Sequence, residues 1–428
     1  MACGSTSLAK NQPPADMPGA DDHFRAFREE LAAQGFFKRT TVRSLLELAA
    51  FVVVTAGGVA LLLATQSTLL EAAAMWMVAL ASLGVSTRAH TASHNAISNR
   101  AWVNKALTYF GFPFFLQVSA TYWRNKHLVI HHPHPNVAGV DRDADLTPLF
   151  ALNQYDVERA TAWQRMRYKY QVIYLPFLLA GNAVGVVRSG WVFLISRLID
   201  GNARRPEHWI DLGALLLHYV VWIGLPLLYL PAIDVLTFTA IRFVLVGYGM
   251  FAFFAPAHYP AEAVVVRAGD CADVVALQTL TTVNYRAGWL GRLIGDGLEY
   301  QIEHHLLPSI SPAHYPRLSG KVREYCARHG YPYRTLGWGE AIWKSFVTFT
   351  RPKPVYALAP GGKEESVPQE PGPQCRSLGR RPASSSLAQA KHEAEVVEDV
   401  SREAFPVVSM AHRTNPRPEF ARSDIAGE

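Results

Sequence analysis

Residues 48–87 read LAAFVVVTAGGVALLLATQSTLLEAAAMWMVALASLGVST, with Glu71 the single charge in the stretch. The polar turn Thr65-Gln66-Ser67-Thr68 divides it into two apolar runs, about 48–64 and 69–87. Each has roughly 17 residues or a little more, the short end of what carries a helix across a bilayer. Together they form a transmembrane hairpin. A second hairpin follows, about 212–231 and 235–257: Leu212 to Ile233 carries no charge, and the return run from Val235 carries only Arg242. The expected architecture is therefore an all-α integral membrane protein with four transmembrane helices in two hairpins.

Polarity orients them. Neither tight turn contains Lys or Arg, whereas fourteen of these residues stand between Arg88 and Arg205. Lys and Arg accumulate on the cytoplasmic side, so the long inter-hairpin loop and both termini are expected there. Half of the 428 residues are hydrophobic and 18% are charged, against about 25% charged in soluble domains. The net charge of +6 follows from the positive-inside rule and calls for no nucleic-acid partner. Cys3, Cys271, Cys326 and Cys375 form no CxxC pair, so neither a disulfide framework nor a zinc knuckle is expected. Residues 1–43 are mostly polar, with no apolar core behind a basic start, and are expected to form a cytoplasmic segment without a cleavable signal.

Other uncharged runs, 106–123 and 170–187, are broken by Pro113, Gln117, Pro176 and Gly181. Both are expected to be interfacial or re-entrant, because a single additional crossing would put the later parts of the chain on opposite sides. Phe24, Phe27, Leu31 and Phe36 recur at helical spacing after Asp21 and Asp22, which predicts an amphipathic helix, either lying on the membrane or packing within the protein. Residues 44–350 form the membrane domain. From Ala357 to the end the chain is rich in proline and mixed charge and has no Trp or Tyr, so 357–428 is expected to be a disordered tail.

Seven of the sixteen histidines fall in three clusters: His90-Thr-Ala-Ser-His94, His127-Leu-Val-Ile-His131-His132 and Gln301-Ile-Glu-His304-His305. All three fall on the expected cytoplasmic side. On a helix, positions i and i+4 share a face, and the adjacent second His points about 100° away. HxxxHH and QxxHH therefore suit two metals better than one. A haem-carrying bundle is disfavoured, since only His218 lies within an expected span. A zinc hydrolase would want an HExxH-type base, which is absent. Imidazole suits Zn, Cu, Fe and Ni alike, so ligand chemistry does not choose among them.

The order HxxxH, HxxxHH, QxxHH together with the hairpins resembles the membrane fatty acid desaturases. The Gln that opens the last box, "TTVN" upstream and "HHLLP" around it resemble the front-end or acyl-lipid subgroup, which includes delta-6-like members. The resemblance covers about Phe24 to Tyr333. It implies a cytoplasmic helical cap holding a non-haem pair of Fe ions, with O2 as co-substrate and an acyl lipid or acyl-CoA losing two hydrogens. The ligands it implies are His90, His94, His127, His131, His132, His304 and His305. His258, in "FFAPAHYP", stands where the family often has an extra His. Asn284 matches a polar residue that completes the site directly or through water, and Gln301 ligates or orients a ligand.

The chain departs from the family at His131-His132-Pro133-His134-Pro135-Asn136, where an aromatic residue, Thr and Asn are usual. His134 is expected to be exposed. Asp141, Asp143 and Asp145 could hold imidazoles by their N–H groups, with Asp141 more in keeping with a solvated loop. No fused cytochrome b5 domain is expected, so the electron donor is a separate protein, ferredoxin or cytochrome b5 with its reductase. The alternatives are a membrane hydroxylase with the same ligand set and a non-catalytic metal- or lipid-binding protein. Abundant Ala and Arg and the lack of organelle signals favour a bacterial inner membrane over the ER.

Overall fold

The computed structural model describes residues 22–268 and 273–356. The expected tail 357–428, the first 21 residues, and Cys3, Cys271 and Cys375 lie outside the described residues. Helix α1 (Asp22–Ala33) buries Phe24, Phe27 and Leu31, with Phe36 behind them, against Leu318, Val322 and Tyr325. Of the two roles open to this helix, packing within the protein is the one found.

The first hairpin is α2 (Thr41–Ala64) and α3 (Thr68–Ser93). Both run past the apolar stretches because their charged ends pair: Arg43 meets Glu47 at 2.8 Å, and Glu47 reaches across to Arg88 at 3.0 Å. A Cβ on Gly84 would come within 2.5 Å of the Phe51 ring. Such close approach is how helices associate in lipid, where packing replaces the hydrophobic driving force.

Helix α4 (Ala101–Tyr109) widens into π-type turns over Phe110–Phe115 around Pro113. The segment ends two residues after Pro113, and the carbonyls left open where it stops are met by side chains from the second hairpin. His218 Nδ1 lies 2.7 Å from the Phe114 oxygen, and Arg242 Nη2 donates to the Phe115 oxygen at 2.5 Å. Arg242 also lies over the Trp222 ring at 4.1 Å and is buried. It is therefore an internal cap on this segment. The chain reverses at Gln117, whose φ is +64°. Helix α5 (Ala120–Trp123) then starts on the carboxylate of Asp211, which accepts from Ser119 Oγ and from the amides of Ala120 and Thr121, and continues as wide turns over Arg124–His131.

After short helices at Gln154–Arg159 and Ala162–Tyr168 come α6 (Gln171–Ala180), a break at Gly181, and α7 (Asn182–Ile199). Helix α8 (Pro206–Tyr219) continues through wide turns to Leu227, and α9 (Ala232–His258) returns. Five helices among the described residues are long and apolar enough to cross a membrane: α2, α3, α7, Pro206–Leu227 and α9. The fifth, α7, differs from expectation. Arg188 ends the uncharged run in the sequence, but the helix continues through it to Ile199.

The remaining chain covers one end of the bundle with α10 (Val274–Thr281), α11 (Gly288–Gly295), α12 (Gln301–Leu306), α13 (Tyr315–His329) and α14 (Trp338–Thr348). Two parallel strand pairs tie distant segments together: β1 (Val265–Val266) with β4 (Val355–Tyr356), and β2 (Asn284–Arg286) with β3 (Thr335–Gly337).

Candidate metal centre

The C-terminal ends of α3 and α9, the wide-turn segment after α5, and α12 converge under the cap, and each brings histidines. The last turn of α3 carries His90 and His94, with ring centroids 4.9 Å apart. The segment Arg124–His131 is wound i to i+5, as the His132 amide bond to the His127 carbonyl at 2.9 Å shows. This winding brings His132 over His127, with Nε2 atoms 3.2 Å apart, while His131 stays stacked on His127 at 5.2 Å and lies against His258 and His305. Helix α12 divides its pair likewise, because neighbours on a helix diverge by about 100°.

The outcome is two adjoining groups of buried imidazoles. Nitrogens of His90, His94, His127, His132 and His304 lie within 4.8 Å of one another, as do those of His131, His258 and His305. The structure thus brings together all seven box histidines and adds His258 as an eighth. His90 Nε2 and His127 Nε2 face each other at 2.8 Å. His94 Nε2, His304 Nε2 and His305 Nε2 are buried without a hydrogen-bond partner. Buried polar atoms are rarely left so, and inward-facing lone pairs fit a cation at the centre of each group. Burial, reinforced by neighbouring imidazoles, holds His94, His132, His304 and His305 well below the usual histidine pKa. They are neutral, the form that ligates a metal.

The outer nitrogens are held. Both oxygens of Asp141 lie 3.0 Å from His131 Nδ1. Burial opposes the charged His131 ring, but the Asp141 and Asp143 carboxylates together outweigh it and raise the pKa. Asp141 also accepts from the amides of Asn136 at 2.7 Å and Asp143 at 2.9 Å. It is 1% exposed, which corrects the solvated loop expected for it. Asp143 approaches His127 Nδ1 at 3.4 Å and pairs with Lys126 at 2.7 Å. His305 Nδ1 donates to Gln278 Oε1 at 2.8 Å, and the Gln278 amide donates to the His132 carbonyl at 2.8 Å. Tyr315 OH lies 3.4 Å from His304 Nδ1. Gln278 and Tyr315 were not singled out from the sequence. Nothing in their local spacing marks them, since α10 and α13 reach the site only by tertiary packing.

His134, expected at the surface, is buried, with Nδ1 3.2 Å from the Ile130 carbonyl, which the Pro133 and Pro135 corner turns it toward. Gln301 Nε2 contacts His258 Nε2 at 2.9 Å, while its Oε1 is buried without a partner. Asn284 is spent elsewhere. Its Oδ1 accepts from the Ile302 amide at 2.8 Å, and its Nδ2 donates to Glu303 at 2.8 Å and Tyr333 OH at 3.0 Å. It holds the start of α12, and through it the His304–His305 pair.

Fold and site define a multi-pass helical membrane protein with paired polyhistidine groups able to hold metal. The sequence profile of the family described as fatty acid desaturase matches residues 67–337. The chain is 29% identical over 338 residues to a Delta(8)-fatty-acid desaturase of Euglena gracilis, covering 75% of this chain and 76% of that protein. It is 27% identical over 279 residues to the Delta(5) fatty acid desaturase fat-4 of Caenorhabditis elegans, covering 61% of this chain and 59% of the relative. To an acyl-lipid (9-3)-desaturase of Physcomitrium patens it is 23% identical over 322 residues, 73% of this chain and 59% of that one. The chain belongs to the fatty acid desaturase family, oxidoreductases of lipid metabolism that introduce double bonds into fatty acyl chains. The family implies iron in the histidine groups and an acyl lipid as substrate.

Proposed function

We propose that this chain is an O2-dependent desaturase of a lipid-, CoA- or carrier-linked acyl chain. The observation that carries the proposal is the pair of adjoining imidazole groups. His90, His94, His127, His132 and His304 would hold one non-haem iron, and His131, His258 and His305 the other. Gln301 Oε1 is free to add a ligand, whereas Asn284 acts by fixing α12. When bound, the iron pair supplies O2 activation for removal of two hydrogens from an unactivated methylene pair. The chain's own residues do the rest. Asp141, Asp143 and Gln278 orient the imidazoles through their outer nitrogens, an arrangement that also raises ligand basicity. An apolar cavity beside His90 is lined by Phe112, Leu116, Trp123, Val246 and Phe254, with Arg242 on its wall. At about 30 Å³ it would have to widen to hold an acyl chain, whose placement would decide which carbon reacts.

Electrons would come from a separate ferredoxin or cytochrome b5 with its reductase. Residues 44–350 would form the catalytic membrane domain, with four spans and a cytoplasmic cap. Parity supports four. The C-terminal ends of α3 and α9 meet at one site, and each follows a tight turn, so the chain between α3 and α8 makes an even number of crossings. Helix α6 is about 15 Å long at 1.5 Å per residue, too short to pair with α7 as a second crossing, so α7 would lie within the cytoplasmic leaflet or along the bundle. Composition favours a bacterial inner membrane, although the relatives named above are eukaryotic.

The test is gas chromatography with mass spectrometry of fatty acids from a host expressing the chain with a redox donor, fed saturated, mono- and di-unsaturated acids, with His304→Ala as control. A new unsaturated acid that requires the intact chain is the expected outcome. A hydroxy acid instead would make it a hydroxylase, and well-expressed protein lacking both product and iron would overturn the proposal.

A further inference from the structure

Beyond α14, and beyond the 67–337 that the family profile matches, residues 349–356 return as a strap to the second histidine group. Phe349 anchors its start: it is buried, with its ring 5.1 Å from Phe150 and 6.1 Å from Tyr259. The Lys353 amide then donates to the Leu152 carbonyl at 2.8 Å, and the Lys353 carbonyl accepts from the Gln154 amide at 2.8 Å. Strand β4 completes the strap by pairing with β1, whose Val266 amide in turn donates to the Asn136 carbonyl at 3.1 Å. The strap is thus stitched directly to the segment before Gln154, and through β1 to the His131–Asn136 corner.

Its docking leaves Lys353 4% exposed. Lysine is almost never buried to that degree without an opposite charge, yet this one forms no salt bridge among the described residues. Its Nζ donates instead to the carbonyls of His258 at 2.8 Å and Ala263 at 2.7 Å. His258 is the last residue of α9. A helix leaves its final carbonyls without partners inside the helix, and a cation there complements its dipole. Asn136 Nδ2 donates to the same two carbonyls, at 2.9 and 3.4 Å.

This grip matters because of what the His258 ring lacks. The rings of His131 and His305, at 4.7 and 5.1 Å from it, are held from behind through Nδ1 by Asp141 and Gln278. His258 Nδ1 is buried without a partner, and its Nε2 faces the amide nitrogen of Gln301, which is a donor. A metal-ligating imidazole is ordinarily aimed by an acceptor on its other nitrogen. Without one, the backbone of His258 has to aim the ring. No hydrogen bond joins the strap to His90, His94, His127, His132 or His304 among the described residues, so its influence falls on one group of the two.

We propose that Lys353 is a positioning residue of the second metal site: by fixing the His258 carbonyl, the docked strap holds His258 beside His131 and His305, and the metal-binding unit extends past residue 350 to Tyr356. The inference rests on the reading of two metals in two histidine groups.

The experiment titrates the purified full chain, stripped of metal, with cobalt(II), whose visible absorption reports imidazole ligation without turnover. The parent is expected to take up two ions. Lys353→Met keeps the apolar stem and removes the donors. It should retain one ion at parental affinity and bind the other about tenfold more weakly or worse, the scale of losing a group that orients a ligand. Lys353→Arg, which keeps charge and donors, should recover part of that loss. Gln154→Pro leaves Lys353 in place but removes the amide that holds its carbonyl. Gln154 opens a short helix after the extended Asn153, a position where proline is tolerated, so the variant undocks the strap without breaking that helix and should weaken the same single ion. Should Lys353→Met not fold, Gln154→Pro decides by the same criterion. Two ions bound as in the parent, or both ions weakened alike as a general loss of stability would do, would overturn the inference. A parent chain that takes up fewer than two ions overturns the two-metal reading itself and the inference with it, and that result is read before any variant is compared.

Discussion

At the scale of single residues, the centre depends on what holds each imidazole from behind. Asp141 fixes His131 through Nδ1 and is itself fixed by two backbone amides. Asp141→Ala should lower iron affinity about 10–100-fold, read as iron per protein after dialysis against graded chelator, while Asp141→Asn retains more. This role was not legible in the sequence. Three acids at alternate positions read as solvent-facing, and only the corner at His131–Asn136 turns the loop back onto the ring. Asn284 shows the converse, a residue whose motif is recognisable but whose amide is consumed by α12. Charge state matters away from the site too. Burial, with Asp145 nearby, raises the Asp156 carboxyl to about 7. Between the ordinary carboxylate range near 4 and about 7 the folded chain keeps a proton that the unfolded chain has lost. Its contribution is therefore intact below that window and is lost as pH rises through it. Asp156→Asn should accordingly raise stability at pH 8 by roughly 1–3 kcal/mol and change little at pH 4, by thermal melts at the two values.

At the scale of elements, the histidine boxes are legible as spacing, but how they divide is not. An α-helical reading pairs His127 with His131 on one face. The i to i+5 winding also brings His132 onto His127, while His131, still stacked on His127, joins His258 and His305. Nothing in the residues His127 to His132 announces a π-turn; it follows from how the segment docks between α3, α9 and the cap. Spans were legible where apolar runs are bounded by charges, even those that pair or bond inside the protein as Arg88 and Asp211 do, and α7 was not, because Arg188 looks like an end. The segment Phe110–Phe115 touches the centre indirectly. A Cβ on Gly111 would lie 3.1 Å from the Val85 carbonyl oxygen and 2.5 Å from the Cβ of Ala89, one residue before His90. Gly111→Ala should therefore push this segment off α3 and destabilise by about 1–3 kcal/mol, the usual cost of overpacking. A lowered melting temperature together with reduced iron content is the expected result, and a variant with parental values for both would place the segment's tight docking outside what supports His90.

At the scale of the whole molecule, the shared histidine centre constrains topology more strongly than hydropathy does. Helices α3 and α9 both point their C-terminal ends at it, contributing His90 and His258. The turns that precede them, at Thr65–Ser67 and Leu228–Pro231, must then lie on the same side of the membrane, opposite the site. If α7 crossed alone, the second hairpin would be inverted, and the two turns would sit on opposite faces while their helices still met at one metal centre, which no membrane permits. In a background lacking the native cysteines, Gln66→Cys and Tyr229→Cys should react with a membrane-impermeant maleimide added to the same face of sealed vesicles. Asn202→Cys, in the link between α7 and α8, should react only from the other face. Labelling of Gln66→Cys and Tyr229→Cys from opposite faces would require a fifth crossing and would break the link between the converging helix ends and a single metal centre. Labelling from one shared face, with Asn202→Cys on the other, leaves α7 on the site's side.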